Sequence, residues 1–427
     1  MQKKSLLALL LAVMMFMSGC ALVAVDEEAD NAQIILDVNG TTIDKGTFNA
    51  LVENTIAENQ YMNQMYSYFG MEAGFPTDVA TVQQNVITSY TQSIVTTLKA
   101  TELGYDQLTE EELAAAEATA EENYHDYLHQ ITDTYFAGSE LDEEALHAEA
   151  EKYIAENGLA NKEYFLDSAK QNAGVEKLYK ETVKDVAVSE EDLTAALNEK
   201  VEAEKTQYES YPDAYGSAVN NGTKTYYAPA GYRYVKHILV KFAEADATAI
   251  TEKETALTTA QQALTAAAEG TDTTELQAAV DAATADLEAA KETARQNIKA
   301  KVDEVYALAT AENADFDALV KEYNEDTGMP EIGYAICEGF AYFVESFTNA
   351  GMALENVGDV SEPVESTYGY HIMQYSADIA EGAVALDDVR AELETEVLTE
   401  KQDAAYTEAL NQWVSEADVK TYTDRLN

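Results

Sequence analysis

The side chains able to move protons or hold metals are few in this chain, and their spacing narrows what they can do. His125-Asp126-Tyr127-Leu128-His129 puts two imidazoles four residues apart on one helix face, the spacing of a zinc-binding pair. A zinc peptidase carries Glu where Asp126 stands, and no third ligand follows at a familiar spacing. The pair therefore reads as exposed histidines on an acidic helix, with no metal and no cofactor expected. His237 lies in a β-prone run, residues 232–241, where alternation places it on one face with Val235 and Leu239. An imidazole on the inner face of a strand is more often a satisfied core group than a ligand. Cys337 has no obvious partner and reads as a small, half-buried thiol rather than a nucleophile. Neither a Gly-rich phosphate loop nor a Gly-x-Ser-x-Gly elbow accompanies these residues.

The elements that must position them begin at Ile34. Two short β-prone runs meet at Asn39-Gly40, a dipeptide that accepts the positive φ angles of a tight hairpin. Asp44 can cap a helix carrying Phe48, Leu51, Val52 and Ile56, and further helices are expected around 77–103, 109–137, 142–157 and 162–185. Thr109 and Ser189, each followed by acids, look like helix starts. Residues 34–205 form one largely helical domain on this reading. Between Tyr61 and Phe75, Met62, Met65 and Met71 mix with Tyr66, Tyr68 and Phe69, which suits either an irregular helix junction or a surface for varied apolar partners. Residues 206–230, with Pro212 and Pro229, read as a linker. From 250 to 310 apolar residues recur at seven-residue spacing, interrupted at Gly270-Thr271-Asp272. This predicts an antiparallel coiled-coil hairpin over 245–297, with Asp272 and Glu275 as the capping pair of its second helix. Residues 385–427 predict a C-terminal helix, with Val389, Leu393, Val397 and Ala404 on one face, packing against 34–205.

Across 427 residues, 26 Lys and Arg stand against 79 Asp and Glu, a net charge of −53. Such a surface repels nucleic acid and anionic lipid headgroups, which excludes a nucleic-acid partner. Residues 1–19 have a short basic start and an apolar run too short for a membrane span, the pattern of a secretory signal. The ending Met17-Ser18-Gly19-Cys20 resembles a bacterial lipobox, in which cleavage precedes a lipidated cysteine. The expectation is lipidation at Cys20, residues 20–33 as tether, and attachment to the outer face of the cytoplasmic membrane.

Four blocks carry a family resemblance: Lys236-His237-Ile238-Leu239-Val240-Lys241, then Phe316-Asp317-Ala318-Leu319-Val320 through Asp326, then Gly358-Asp359-Val360-Ser361-Glu362-Pro363-Val364, then Tyr368-Gly369-Tyr370-His371-Ile372-Met373. In this order they resemble the parvulin (PpiC) family of peptidyl-prolyl isomerases, over residues 231–378 with the coiled coil as an insertion. The layout of the whole chain resembles foldases of the PrsA and SurA types. The resemblance implies an α+β protein: a mostly helical chaperone domain plus a parvulin-like antiparallel-sheet and helix module. It implies that His237 and His371 face each other, that Asp326 lies near the substrate carbonyl, and that Phe347, Phe343 and Ile332 line a proline pocket. Pro330-Glu331-Ile332-Gly333 stands where the family has Gly-Asp-Leu-Gly. The implied partners are unfolded or partly folded exported proteins and proline-containing peptides. Assisted folding with prolyl isomerisation is the expected function, and a non-catalytic holdase that only binds peptide is the alternative.

Overall fold

The computed structural model describes residues 27–139, 141–268 and 272–426; Cys20 and the signal segment lie outside them. The protein is α+β and mostly helical. Its first elements are α1 (Glu27–Asn31), β1 (Ile34–Val38), β2 (Thr41–Asp44), α2 (Lys45–Tyr68), α3 (Val79–Glu102), α4 (Glu110–Tyr135), α5 (Glu143–Glu156) and α6 (Lys162–Val183). Then come α7 (Glu190–Ser210), α8 (Ala214–Asn220), β3 (Tyr227–Ala228), β4 (Arg233–Lys241), α9 (Glu244–Thr265), α10 (Thr274–Ala309) and α11 (Phe316–Tyr323). The last are β5 (Tyr334–Ile336), α12 (Glu345–Met352), β6 (Val364–Ser366), β7 (Gly369–Asp378), β8 (Gly382–Ala383), α13 (Leu386–Glu416) and β9 (Val419–Thr421). No helix among the described residues is long and apolar enough to cross a membrane.

These elements form two units, one of residues up to 188 with 398–427, the other of residues 189–397. In the first, β1 and β2 make the hairpin, with Asn39 and Gly40 at φ of 50° and 90°. Asp44 caps α2 by accepting from Thr47 N at 2.8 Å. β9 completes the sheet on the other edge of β1, in the order β2-β1-β9. Ile35, Leu36 and Val38 bury against Phe48, Val52, Val82 and Val86, and Trp413, Val414 and Val419 from the chain's end pack on the same core. At the start of α4, Thr109 and Glu112 form a reciprocal capping box. The α4–α5 pair is held by Tyr124, Leu128 and Ile131 against Ala150 and Ile154.

In the second unit the sheet runs β5-β4-β7-β6, all antiparallel. One face, with Ile238, Val240 and Ile372, packs on Ile298, Val302 and Val305 of α10. The outer part of α10 pairs with α9 through Leu257, Leu287 and Ala290, so the coiled-coil arm and the helix under the sheet are one continuous rod. Ion pairs Lys253–Asp286 and Lys291–Glu254 border the arm. The helix start differs from the expected cap. Thr273 is the N-cap without a side-chain bond, and Asp272 instead accepts from Thr274 N at 3.0 Å.

Two boundaries also differ from the sequence reading. α7, expected in the helical domain, belongs to the second unit, where Lys200 pairs with Glu396 and Arg390 with Glu190 on the first half of α13. The C-terminal segment is accordingly divided, with Val389, Leu393 and Val397 buried before the division and only 398–427 in the first unit. Residues 206–230 are structured rather than a free linker. Asn220 of α8 exchanges two hydrogen bonds with the backbone of Ala335 in edge strand β5, at 2.8 and 2.9 Å, and the Tyr232 hydroxyl donates to Pro212 O at 2.7 Å. Tyrosines and asparagines that look like loop composition are here specific plugs for a sheet edge.

Candidate active site

β4 is the central strand, and its two neighbours differ in length. β7 pairs along all of it, whereas β5 reaches only Arg233–Val235. The remaining edge of β4 is taken by the loop after α11. Asn324 Oδ1 accepts from Leu239 N at 2.9 Å and from Asp326 N at 3.0 Å, and Glu325 N donates to Leu239 O at 3.0 Å. The loop is thereby pinned with Asp326 beside His237. Met329 Sδ stands 3.3 Å from His237 N.

On β7, His371 lies opposite Leu239 and Met373 opposite His237, so the two imidazoles are diagonal neighbours on one sheet face. Their rings stack at 5.0 Å with an interplanar angle of 22°. β7 starts at Gly369 with φ of 144°, where an added Cβ would stand 2.1 Å from Val240 O; only glycine permits this approach.

The side chains form one hydrogen-bonded row. Ser366 Oγ is 2.7 Å from His371 Nε2, the two Nδ1 atoms are 2.9 Å apart, and His237 Nε2 is 2.9 Å from Asp326 Oδ2. Asp326 also accepts from the Tyr334 hydroxyl at 2.9 Å and from Gly328 N at 2.9 Å. An ionised carboxylate only accepts, so His237 must donate from Nε2. With His237 neutral, its Nδ1 accepts from His371 Nδ1–H, and His371 Nε2 accepts from the Ser366 hydroxyl. Every donor then meets an acceptor with both imidazoles uncharged, a tautomer assignment made from the network.

Electrostatics bear on three members of this network, Asp326, His371 and Tyr334. The hydrogen bond from His237, helped by Gly328 N and Tyr334, holds the Asp326 carboxyl well below the usual carboxylate range despite partial burial. Burial, with His237 adjacent, pulls His371 down to about 3, so it is neutral at physiological pH. Burial and then the hydrogen bond to Asp326 push the Tyr334 phenol up, which keeps it a donor.

Above the row stands an aromatic wall. Phe347, from α12 and 2% exposed, meets both imidazole rings edge-on at 5.2 Å and Phe343 at 5.0 Å. Phe343 in turn is 4.7 Å from the Tyr334 ring. Of the residues singled out from sequence, His237, Asp326 and His371 come together, and Phe347 and Phe343 share the wall. Ile332 does not join them. The turn closed by Gly333 N to Pro330 O at 2.9 Å leaves its side chain 49% exposed, and its carbonyl accepts from Ser376 at 2.9 Å. Tyr334, two residues on in β5, packs against Phe343 instead and was not singled out, nor were Ser366 and Met329. No spacing rule pointed to them; they become partners only through strand pairing and the pinned loop. Cys337 is half-buried beside this cluster, its thiol pushed up chiefly by burial, consistent with an inert group.

Residues 282–377 match the family model of the rotamase, PPIC-type PPIase domain. This segment contains Asp326, Phe347 and His371 but not His237, which β4 delivers from before the arm. The foldase protein PrsA of Clostridium botulinum strain 657 is 31% identical over 115 residues, 26% of this chain and 34% of that protein. Foldase protein PrsA 3 of Bacillus anthracis is 36% identical over 110 residues, 25% and 38% of the two chains. The matched stretch thus spans about a third of the length of these curated relatives. Among solved structures, PrsA from Bacillus subtilis is similar at 18% identity, covering 91% of this chain and 94% of that one with a TM-score of 0.19. A Campylobacter jejuni structure, titled as one of the SurA-like chaperones PEB4 and Cj1289, covers 69% and 94% at 17% identity with a TM-score of 0.27.

Proposed function

We propose that this protein is a peptidyl-prolyl cis-trans isomerase of parvulin type, working as a foldase for exported proteins. The observation that carries the reading is the hydrogen-bonded row Ser366–His371–His237–Asp326 set against the Phe347–Phe343 wall. Prolyl isomerisation needs neither nucleophile nor metal. Its barrier, roughly 18–20 kcal/mol, comes from amide resonance, which gives the C–N bond double-bond character. The twisted amide has lost that resonance and is less polar than the planar one. An apolar wall gripping the proline ring and excluding water therefore favours the twisted state. Asp326 acts in the same direction. Resonance places negative charge on the amide oxygen, and an anion beside the carbonyl opposes that charge separation. The imidazoles hold the carboxylate in place and ionised, while Tyr334 spans row and wall.

A holding role beside catalysis is supported by one surface. Tyr68, Phe69 and Met71, at the end of α2, are 87%, 66% and 51% exposed, an apolar cluster that flexible thioethers and aromatics suit to varied unfolded segments. On this reading Cys20 carries the lipid that keeps the protein at the outer face of the membrane. Cys20→Ala should then release it into the medium or leave an uncleaved precursor; a mutant still fractionating as an acylated mature protein overturns the anchor. For the isomerase reading, the full-length protein should accelerate cis-trans exchange in a proline peptide, and Asp326→Ala should reduce that rate more than peptide affinity. For holding, replacing Tyr68 and Phe69 by Ser should weaken suppression of client aggregation while leaving peptide isomerisation intact.

A further inference from the structure

A second group of imidazoles lies in the first unit, away from the row described above. His125 and His129 on α4 sit one turn apart, and α5 brings His147 against both. Ring centroids are 4.6 Å apart for His125–His129, 5.1 Å for His125–His147 and 4.7 Å for His129–His147. Glu143, one turn before His147 on α5, reaches to 3.7 Å from His129 Nε2. One ligand atom from each of the four residues lies within 4.8 Å of all the others. The third ligand absent from the local sequence spacing is thus supplied across the α4–α5 turn.

His147 Nε2 is shielded from solvent and has no hydrogen-bond partner, the one such side-chain atom among the described residues. A buried ring nitrogen normally finds a partner because leaving it without one costs about 1–3 kcal/mol. Here it borders a cleft lined also by Glu121, Asp142, Glu144, Glu151 and Lys162. Lys162 is paired with Glu121, so carboxylates dominate the rim and the local field favours a cation.

We propose that His125, His129, His147 and Glu143 form a site for a borderline divalent metal ion, zinc being the ion tested, that clamps α4 to α5. Three imidazoles with one carboxylate match zinc and its neighbours in the transition series, whereas calcium and magnesium prefer all-oxygen sites. Tetrahedral zinc with bonds of roughly 2.0–2.1 Å needs donors closer together than they now stand, a gap that side-chain rotation on two adjoining helices can close. Four protein donors make a closed, structural site, and no reaction is assigned to it. The isomerase row uses none of these residues, so this site stands or falls independently of the proposed function.

The test is calorimetric titration of the chelator-treated, full-length protein with Zn²⁺, with visible absorption of Co²⁺-loaded protein as a readout of coordination. One equivalent should bind, with tetrahedral cobalt bands, and excess Mg²⁺ should not displace it. His125→Ala and His147→Ala should each weaken binding by at least about tenfold, as loss of a metal ligand must. His125 is exposed, so its variant tests the site without disturbing the core. Zinc should raise the melting temperature of the wild type and of neither variant. No zinc binding, or binding undiminished in both variants, overturns the proposal.

Discussion

All five histidines of the chain fall in two clusters, and the contrast between them is informative. His237 and His371 are 2% and 5% exposed, and each ring nitrogen has a partner in the row. His125, His129 and His147 have comparable ring spacing, but one buried nitrogen is left without a partner and the rim is acidic. Proximity of imidazoles thus says little about their chemistry. In the first cluster the protein itself completes every hydrogen bond, which holds a rigid platform beneath an apolar wall. In the second, three imidazoles and a carboxylate are gathered while His147 Nε2 keeps no partner, which leaves room for an ion.

The sharpest way to break this contrast is through packing. Phe347→Ala removes a buried ring that touches both imidazoles of the row and should destabilise the second unit by about 3–5 kcal/mol, lowering peptide binding and turnover together. His125→Ala, without metal, should shift stability by no more than about 0.5 kcal/mol because its side chain is exposed. Melting curves of the two variants compare them directly, and equal losses would remove the distinction.

Acid probes the buried row next. His371 titrates at about 3 in the folded protein against about 6.5 in an unfolded chain, so unfolding takes up a proton between those values. The stability this supplies is complete above about pH 6.5 and is lost as pH falls towards 3, at up to about 1.4 kcal/mol per pH unit. Asp326, lowered from its ordinary value, keeps its contribution to still lower pH and loses it last. Denaturant titrations of wild type and His371→Asn between pH 7 and 4 measure this slope. The variant should show a flatter dependence, and identical slopes would contradict the assignment of His371 as neutral.

Smaller effects probe the row's polarity. Asp326→Asn keeps an acceptor near His237 but removes the charge, so turnover should fall by more than peptide affinity, read as kcat against Kd. Ser366→Ala removes the donor to His371 Nε2 and should cost about 1 kcal/mol, with a modest loss of rate. An unchanged melting temperature would show that His371 finds its proton partner elsewhere.

The legible part of the molecule was local. The Asn39-Gly40 hairpin, the Asp44 cap, the Thr109 and Ser189 capping boxes and the arm all follow from short-range rules and occur at the expected places. That His237, Asp326 and His371 lie together was legible because their blocks keep the order of the parvulin resemblance, although the arm separates the first from the others. What escaped depends on pairing between distant segments. Tyr334 reaches Asp326 because β5 is short and a loop takes over the edge of β4; Ile332 turns outward because the Pro330–Gly333 turn presents it to solvent. His147 lies 18 residues beyond His129, and only the folding of α5 back onto α4 makes it a neighbour.

Exchange between cis and trans forms of a proline peptide, followed by NMR line shapes at rising concentrations of full-length protein, tests whether the second unit catalyses rotation about X-Pro bonds. Uncatalysed exchange takes tens of seconds or longer. Exchange should speed up in proportion to protein concentration, with most of the acceleration lost in Asp326→Ala at unchanged fold. Peptide that binds, with shifted resonances, yet exchanges at the uncatalysed rate would contradict it and leave a binding module in place of an isomerase.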